Sequence, residues 1–396
     1  MRRPLRPAVA LAVAGVLAAE GAPRAGEWHG EAGVSEELSY DDNIGLTTAS
    51  PTSAWGSTTM PNLTLTYTVD PLDLELHTRL DFTRYPSEPG LNSDDQQAQV
   101  SASYDLPRSH LTLAGEVLRN TSRSSELDDT GRAILDNIRR RSVRLQPGWT
   151  YRATSLDSFS LNADVQDVSF ASDALTGFRQ YRGQATWGHA LSRTTSIGGS
   201  LLGSRFEPDA GRRPATDSLA AQAEIAHAAL PRWQARLAAG IRYTRAEGGA
   251  APADDSGSAG FLLDGSTTYR PNARTALTGS IRRALEPSAG GELVQRDAVS
   301  LSLGYRWTRS ISLALGLGYQ HQESAGGDDE RLQAMRSSFQ VVPNLSWQLA
   351  RRWGLSLSYA YRRQDLDTGG TRSADAVSNA VSLGLTYETG AWSAPF

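Results

Sequence analysis

The segment Ser310–Gln320 alternates strictly between two kinds of residue, and this alternation constrains the fold more than any other feature. One parity is apolar and holds Ile311, Leu313, Leu315, Leu317 and Tyr319. The other parity is small or polar and holds Ser312, Ala314, Gly316 and Gly318. A period of two predicts a β-strand with one apolar face and one small or polar face.

The same alternation returns over most of the chain, for example at Val299–Trp307, Leu355–Tyr361 and Val381–Tyr387. A soluble β-sandwich also alternates, but strands of about ten residues with aromatic residues at their ends are typical of membrane barrels. We therefore predict an all-β fold, a transmembrane antiparallel up-and-down β-barrel of about 18 strands, with its apolar side facing lipid and its polar side facing the lumen.

The predicted strands form hairpins, preceded by a first strand and followed by a last strand that can close on the first. They are Trp28–Tyr40, Met60–Val69, Leu72–Tyr85, Gln97–Asp105, His110–Arg119, Ser142–Arg152, Ser158–Phe170, Arg179–His189, Thr195–Phe206, Ser218–Ala229, Trp233–Arg245, Ser258–Arg270, Thr275–Leu285, Asp297–Trp307, Ser310–Gln320, Ser337–Leu349, Trp353–Gln364 and Val377–Glu388. Pro61, Pro147 and Pro343 fall inside strands, where the missing N–H donor predicts a bulge or bend.

Eight tight turns alternate with nine longer loops, and the two sets differ in charge. Most tight turns carry arginine, as at Arg108 and Arg309, and aromatic residues such as Trp149 and Trp307 collect beside them. The long loops are acidic, as at Asp328. Barrels of the bacterial outer membrane have short periplasmic turns, long extracellular loops and aromatic girdles, so we expect the tight turns in the periplasm and the long loops outside.

The N-terminus has the pattern of a secretory signal peptide. A basic start, Met1–Arg6, precedes an apolar run of about a dozen residues and then small residues, which is too short for a membrane span. We predict a signal peptide over residues 1–25, cleaved between residues 19 and 26, and a barrel over residues 26–396. Export of an alternating-strand chain indicates the bacterial outer membrane.

The composition excludes several classes of protein. The 396 residues include no cysteine, which excludes disulfides and thiolate metal sites, and no lysine, so all 39 basic residues are arginine. No apolar run outside the N-terminus approaches the length of a transmembrane helix. A net charge of −4 without a basic block gives no support to nucleic-acid binding.

The residues that usually carry catalysis or bind cofactors form no recognisable motif. The six histidines are scattered without metal-ligand spacing, and no nucleophile elbow or phosphate loop is present. His227 is predicted to face lipid, so it is a poor candidate for a hydrolase. We predict that the protein is not an enzyme and has no metal or cofactor.

The strand Leu72–Tyr85 has an inward parity made only of ionisable residues, a pattern that cannot face lipid. Extending this parity around the barrel gives the candidates for contact with a solute in the lumen: Asp73, Glu75, His77, Arg79, Asp81, Arg144, Arg182, Arg236, Arg242, Arg282, Arg306 and Arg362. Inward acids are predicted at Glu116, Asp164, Glu224 and Asp264. The arginines suit carboxylates or phosphates. The alternative is a hydrated wall whose charges neutralise one another.

The residues Tyr40-Asp41-Asp42-Asn43-Ile44 lie just after the first predicted strand. This start resembles that of porin-like outer-membrane β-barrel proteins encoded in exopolysaccharide and exosortase loci. The resemblance implies a channel that assists export of a polysaccharide, anionic in one version of the hypothesis. The implied partners are outer-membrane lipids and lipopolysaccharide, the polysaccharide chain and periplasmic polysaccharide-export proteins. Two alternatives stay open, a closed barrel that anchors an envelope or surface-polysaccharide assembly and a general porin for small solutes.

Overall fold

The computed structural model describes residues 26–48, 50–125, 137–209, 214–229, 232–246, 257–288, 291–324, 334–368, 371–372 and 375–395. The predicted signal peptide lies outside these residues. The strands are β1 Glu27–Asp41, β2 Ala54–Val69, β3 Leu72–Arg84, β4 Ser93–Asp105, β5 Ser109–Thr121, β6 Arg139–Arg152, β7 Asp157–Phe170, β8 Phe178–Ala190, β9 Thr195–Pro208, β10 Thr216–Ala229, β11 Trp233–Ala246, β12 Ser258–Asn272, β13 Thr275–Pro287, β14 Leu293–Arg306, β15 Ile311–Ser324, β16 Ala334–Ala350, β17 Trp353–Thr368, β18 Thr371–Arg372, β19 Ala376–Glu388 and β20 Trp392–Pro395. A 3₁₀ turn, Pro89–Leu91, is also present, and residues 122–125 are helical.

These strands form one closed antiparallel sheet. Each long strand pairs with its neighbours in sequence, and β1 pairs with both β2 and β19, which closes the barrel. Two of the 20 strands are short. β18 pairs only with the end of β17, and β20 pairs with the start of β1. The predicted 18-strand up-and-down barrel is confirmed. No helix among these residues is long and apolar enough to cross a membrane.

The register keeps one face of the wall apolar and the other polar. In the pair β14–β15, for example, Leu301 lies opposite Leu317, while Ser302 lies opposite Gly316. Leu301 is 43 % exposed although it is apolar, as expected for a side chain whose solvent is lipid. The predicted parity, and with it the outward position of His227, follows from these pairings.

The strands extend further toward the long loops than predicted. β2 begins at Ala54, six residues before the predicted Met60, and β4 begins at Ser93 rather than Gln97. Most outward-facing residues in these extensions are polar, such as Asp94, which forms an ion pair with Arg84. Trp55 of β2 is an outward-facing exception and is 66 % exposed. The hydrogen bonds between strands continue beyond the lipid. The alternation of apolar residues from which the strands were predicted ends near the edge of the membrane.

The three strand prolines interrupt pairing without shifting the register. Of the two predicted alternatives, the bulge is wrong and the bend stays a prediction. Pairing of β16 with β17 runs to Val341 opposite Tyr361 and resumes at Asn344 opposite Ser358. Proline removes a ladder donor. Because the same offset continues on either side of Pro343, the sheet loses local pairing and inserts no extra residue.

The C-terminal segment completes the wall. β19 pairs with Gly33–Asp41 of β1, and β20 pairs with Glu27–Gly30 below it. Gly30 allows this approach because a Cβ atom there would lie about 2.1 Å from the ring of Trp392. The polar tail after the last predicted strand is therefore part of the barrel's closure.

Candidate functional site

An aromatic girdle surrounds the barrel at the end that carries the tight turns. Its outward-facing members include Tyr104, Trp149, Trp187, Trp233, Tyr269, Trp307, Trp347, Trp353 and Tyr387. Aromatic rings at the edge of an apolar band mark the membrane interface. A closed barrel with an apolar exterior and a polar interior is the architecture of a bacterial outer-membrane protein, and the outer membrane is where this chain resides.

The twelve predicted lumen residues all lie on the inner face of their strands. In β3, Asp73 and Glu75 alternate with outward-facing Leu74 and Leu76. The same alternation holds for the eight predicted arginines: Arg79, Arg144, Arg182, Arg236, Arg242, Arg282, Arg306 and Arg362. Whether any of the twelve contacts a solute stays a prediction.

The inner faces of strands β2 to β14 enclose a cavity of about 900 Å³. Seven of the predicted lumen residues line it: Asp73, Glu75, Arg144, Arg182, Arg236, Arg242 and Arg282. Hydroxyl and amide side chains such as Ser101, Asn162 and Gln222 also line it, together with apolar residues such as Leu202 and Leu262. Such a wall offers donors and acceptors at many heights, which suits a hydrated, polar solute.

Most of the inward arginines are paired with carboxylates, as the mutual-neutralisation alternative predicts. The pairs are Arg79–Asp81 at 2.6 Å, Arg144–Asp164 at 2.5 Å, Arg236–Glu224 at 2.6 Å, Arg282–Glu286 at 3.2 Å and Arg362–Asp41 at 3.6 Å. Arg182 contacts the side-chain oxygen of Gln180. The lumen is therefore less basic toward a solute than the arginine content of the sequence indicates.

Arg236 and Arg242 lie on the same face of β11 but differ in their surroundings. Arg236 donates from Nε and Nη2 to both carboxylate oxygens of Glu224, at 2.6 and 2.8 Å. Arg242 is 8 % exposed, and its Nε and Nη1 have no hydrogen-bond partner among the described residues. Burial of an unpaired cation is unfavourable, so Arg242 has a strong requirement for an anion or water as a partner.

A buried apolar cluster lies on the inner face at the opposite end of the barrel. Val168, Phe178 and Phe206 are 0, 5 and 3 % exposed, and Leu293 packs against them. The rings of Phe178 and Phe206 lie 5.3 Å apart. Val168, Phe178 and Phe206 were missed in the sequence, although each is an apolar residue on the polar parity of its strand. That break in the alternation is the signal that could have identified them.

Two loops meet at this end. Thr176 belongs to the β7–β8 loop and Gly291 to the β13–β14 loop, and a Cβ atom at Gly291 would lie 2.6 Å from Cγ2 of Thr176. Strands β9 to β12 separate the two loops around the wall. Their contact therefore crosses part of the opening, and a solute would pass beside it.

Residues of the motif Tyr40–Ile44 form hydrogen bonds that join the first and last strands of the barrel. Asp41 accepts a hydrogen bond from the Ser378 hydroxyl at 2.8 Å. The buried Asn43 side chain donates to the carbonyl oxygens of Thr47 and Val377 at 2.9 and 2.8 Å. The geometry gives these residues a role in closing the barrel at its extracellular rim.

Within the described ranges, no group of three or more His, Asp or Glu residues could hold a metal ion. The histidines instead make local contacts. His189 Nδ1 lies 2.8 Å from Asp157 beside a tight turn, and His77 Nδ1 lies 3.0 Å from the Thr64 hydroxyl.

No family model matches the chain, and no curated protein matches it. Several solved structures resemble this chain in fold. Pseudomonas aeruginosa OccK2 (OpdF), solved in complex with glucuronate, is 10 % identical over 91 % of this chain and 97 % of its own, with a TM-score of 0.49. Acinetobacter baumannii OccAB4 is 9 % identical over 93 % of this chain and 99 % of its own, with a TM-score of 0.48. The FrpB iron transporter from Neisseria meningitidis is 8 % identical over 90 % of this chain and 81 % of its own, with a TM-score of 0.44.

Proposed function

We propose that this protein is an outer-membrane channel that assists the passage of a polysaccharide out of the cell. The observation that carries the channel function is the cavity of about 900 Å³, lined by charged, polar and apolar side chains, between the inner faces of β2 to β14. Sugar hydroxyls bind by donating and accepting hydrogen bonds, and this wall supplies both kinds of partner. The choice of a polysaccharide over a small solute rests on the resemblance carried by Tyr40–Ile44.

One part of the lumen suits an anionic chain. The acids Asp164 and Glu224 are already paired with arginine. Arg242 keeps two nitrogens without a partner among the described residues. A carboxylate or phosphate of a passing chain would complete the guanidinium's hydrogen bonds.

The test combines conductance with export. The purified protein, reconstituted in a planar bilayer, should conduct ions, and a strain lacking the gene should retain polysaccharide in the periplasm. Conductance in the wild type together with unchanged surface polysaccharide in the deletion strain would favour the general-porin alternative. Absence of conductance would contradict the proposed channel function.

A barrel that only anchors an assembly is the second candidate. The contact between the loops of Thr176 and Gly291, together with the buried Phe178 and Phe206, favours it because these groups narrow the opening. This candidate predicts no conductance and normal polymer secretion, but loss of polymer attachment to the cell surface in the deletion strain. Periplasmic export proteins would then bind near the arginine-bearing turns, for example at Arg309.

A further inference from the structure

Two arginines face each other on the outer surface of the barrel. Arg119 of β5 lies directly opposite Arg141 of β6. They belong to the outward parity of these strands, on which Val117 and Val143 form the next pair toward the membrane centre. Both arginine side chains are exposed.

Like charges placed directly opposite each other destabilise a sheet. Neither Arg119 nor Arg141 has a carboxylate partner in the part of the chain that the structure describes. Other outward-facing arginines near the extracellular ends of strands are paired: Arg84 with Asp94 at 2.6 Å, Arg179 with Asp167 at 2.9 Å and Arg283 with Asp297 at 3.3 Å. The pair of strands β5 and β6 thus carries two adjacent positive charges on its outer face, whereas these other outward-facing arginines are neutralised by carboxylates.

The neighbouring strands extend the same row with polar groups. Gln96 of β4 lies opposite Arg119, and Ser169 of β7 lies opposite Arg141. Both side chains are exposed. Adjacent strands are about 4.8 Å apart, so the row Gln96–Arg119–Arg141–Ser169 presents hydrogen-bond donors over roughly 15 Å of outer surface.

The row lies at the edge of the apolar band. Trp149 of the girdle lies on the same strand and the same parity, eight residues after Arg141. With a rise of about 3.3 Å per residue and a strand tilt of about 40°, the arginines stand roughly 20 Å from the girdle. The apolar band of such barrels is about 25 Å tall, so the guanidinium groups reach the level of the outer-leaflet headgroups.

We propose that Arg119 and Arg141, flanked by Gln96 and Ser169, bind the phosphate of a phosphorylated lipid in the outer leaflet. The planar guanidinium donates two parallel hydrogen bonds to phosphate oxygens, which makes arginine well suited to this anion. The bound phosphate also removes the repulsion between the paired arginines. This site lies on the outer surface and is independent of the channel function.

The test uses the full-length protein, purified in a neutral detergent and checked for folding by its mobility on unheated gels. Diphosphoryl lipid A is titrated and its binding followed by native mass spectrometry and by the unfolding temperature. Fully dephosphorylated lipid A and inorganic phosphate are the comparison ligands. Diphosphoryl lipid A should bind and raise the unfolding temperature, whereas neither comparison ligand should do so at the same concentration.

The double variant Arg119→Gln, Arg141→Gln should bind diphosphoryl lipid A about tenfold more weakly or worse, since charge-assisted hydrogen bonds are lost. The matched control is Arg283→Gln, Asp297→Asn, which alters an outward pair elsewhere on the barrel and should bind like the wild type. Equal binding by the two double variants would overturn the proposal, and so would an equal response to inorganic phosphate.

A charge reversal separates lipid binding from general stability. Arg119→Glu places a carboxylate opposite Arg141 and should raise the unfolding temperature in detergent alone, because repulsion is replaced by attraction. The same variant should lose the further rise produced by diphosphoryl lipid A. If this variant does not fold, the single variant Arg141→Gln is measured instead, with a reduced lipid-induced rise expected. An undiminished rise in the folded variant would contradict the site.

Discussion

Asp42 accepts two hydrogen bonds from Asn379, one from its backbone N–H at 2.7 Å and one from its side-chain amide at 2.8 Å. Asp42 follows β1 and Asn379 lies in β19, so the pair joins the two ends of the barrel. The closure of an up-and-down barrel depends on contacts of this kind, because no covalent connection links its first and last strands.

Asp42→Ala should therefore weaken the barrel at its seam. Loss of the acceptor leaves the Asn379 donors without this partner, and we expect a cost of about 1–3 kcal/mol in the free energy of unfolding. Urea-induced unfolding in detergent measures it. The control is Asp173→Ala, at an exposed acid of the β7–β8 loop. An equal effect of the two substitutions would show that Asp42 has no special role in closure.

Substitutions at adjacent positions of β15, one facing lipid and one facing the lumen, should differ sharply in their effect on the free energy of unfolding. Leu315 faces outward between Leu303 and Pro343, and Leu315→Arg should cost roughly 2–4 kcal/mol if it lies near the membrane centre. Gly316 faces the lumen, where a Cβ atom would meet only ordinary contacts at 3.7 Å or more. Gly316→Ser should be nearly neutral. Unfolding free energies in lipid vesicles test this, and similar losses at both positions would mean that the assigned faces are wrong.

The barrel could be predicted from the sequence because lipid contact imposes a simple rule on every second residue. That rule identifies strands, faces and the inward position of Arg236 and Arg242. It does not identify which arginines are paired. Glu224 neutralises Arg236 because β10 and β11 align in a particular register, and the periodicity of a single strand carries no information on its neighbour's offset.

The apolar cluster at the extracellular end could not be predicted for a different physical reason. Phe178 and Phe206 lie on the inner parity, where a hydrated wall predicts polar residues. They pack against one another and against Leu293, which follows a separate loop. Loop positions depend on contacts between segments distant in sequence, so only the break in alternation was visible before the structure.

The orientation of the barrel can be checked by mild trypsin digestion of intact cells. We expect cleavage in the long loops, for example at Arg132 or Arg331, which lie outside the described residues. Arg309 and Arg351 occupy tight turns beside the aromatic girdle and should be protected while the outer membrane is intact. Permeabilised cells provide the control. Rapid cleavage at the tight turns in intact cells would reverse the assigned orientation.

Arg242 should influence which ions pass through the channel. Arg242→Gln removes an inward positive charge that has no hydrogen-bonded carboxylate among the described residues, and we expect a lower ratio of anion to cation permeability. The matched control is Glu224→Gln, Arg236→Gln. It removes a neutral ion pair from the same lumen and should leave the ratio nearly unchanged, since the net charge stays constant. Reversal potentials in a salt gradient measure the ratio. An equal shift in both variants would exclude a special role for Arg242.

The apolar cluster at the extracellular end should limit conductance. Phe206 is 3 % exposed and its ring lies 5.3 Å from that of Phe178. Phe206→Ala should reduce the unfolding free energy by about 3–5 kcal/mol through loss of packing, and it should increase single-channel conductance because it loosens the packing of Leu293 against this wall. Phe159→Ala is the control, at a 46 % exposed outward-facing phenylalanine. It should leave conductance unchanged and cost less stability. If Phe206→Ala lowers stability without changing conductance, the cluster supports the wall but does not narrow the path of the solute.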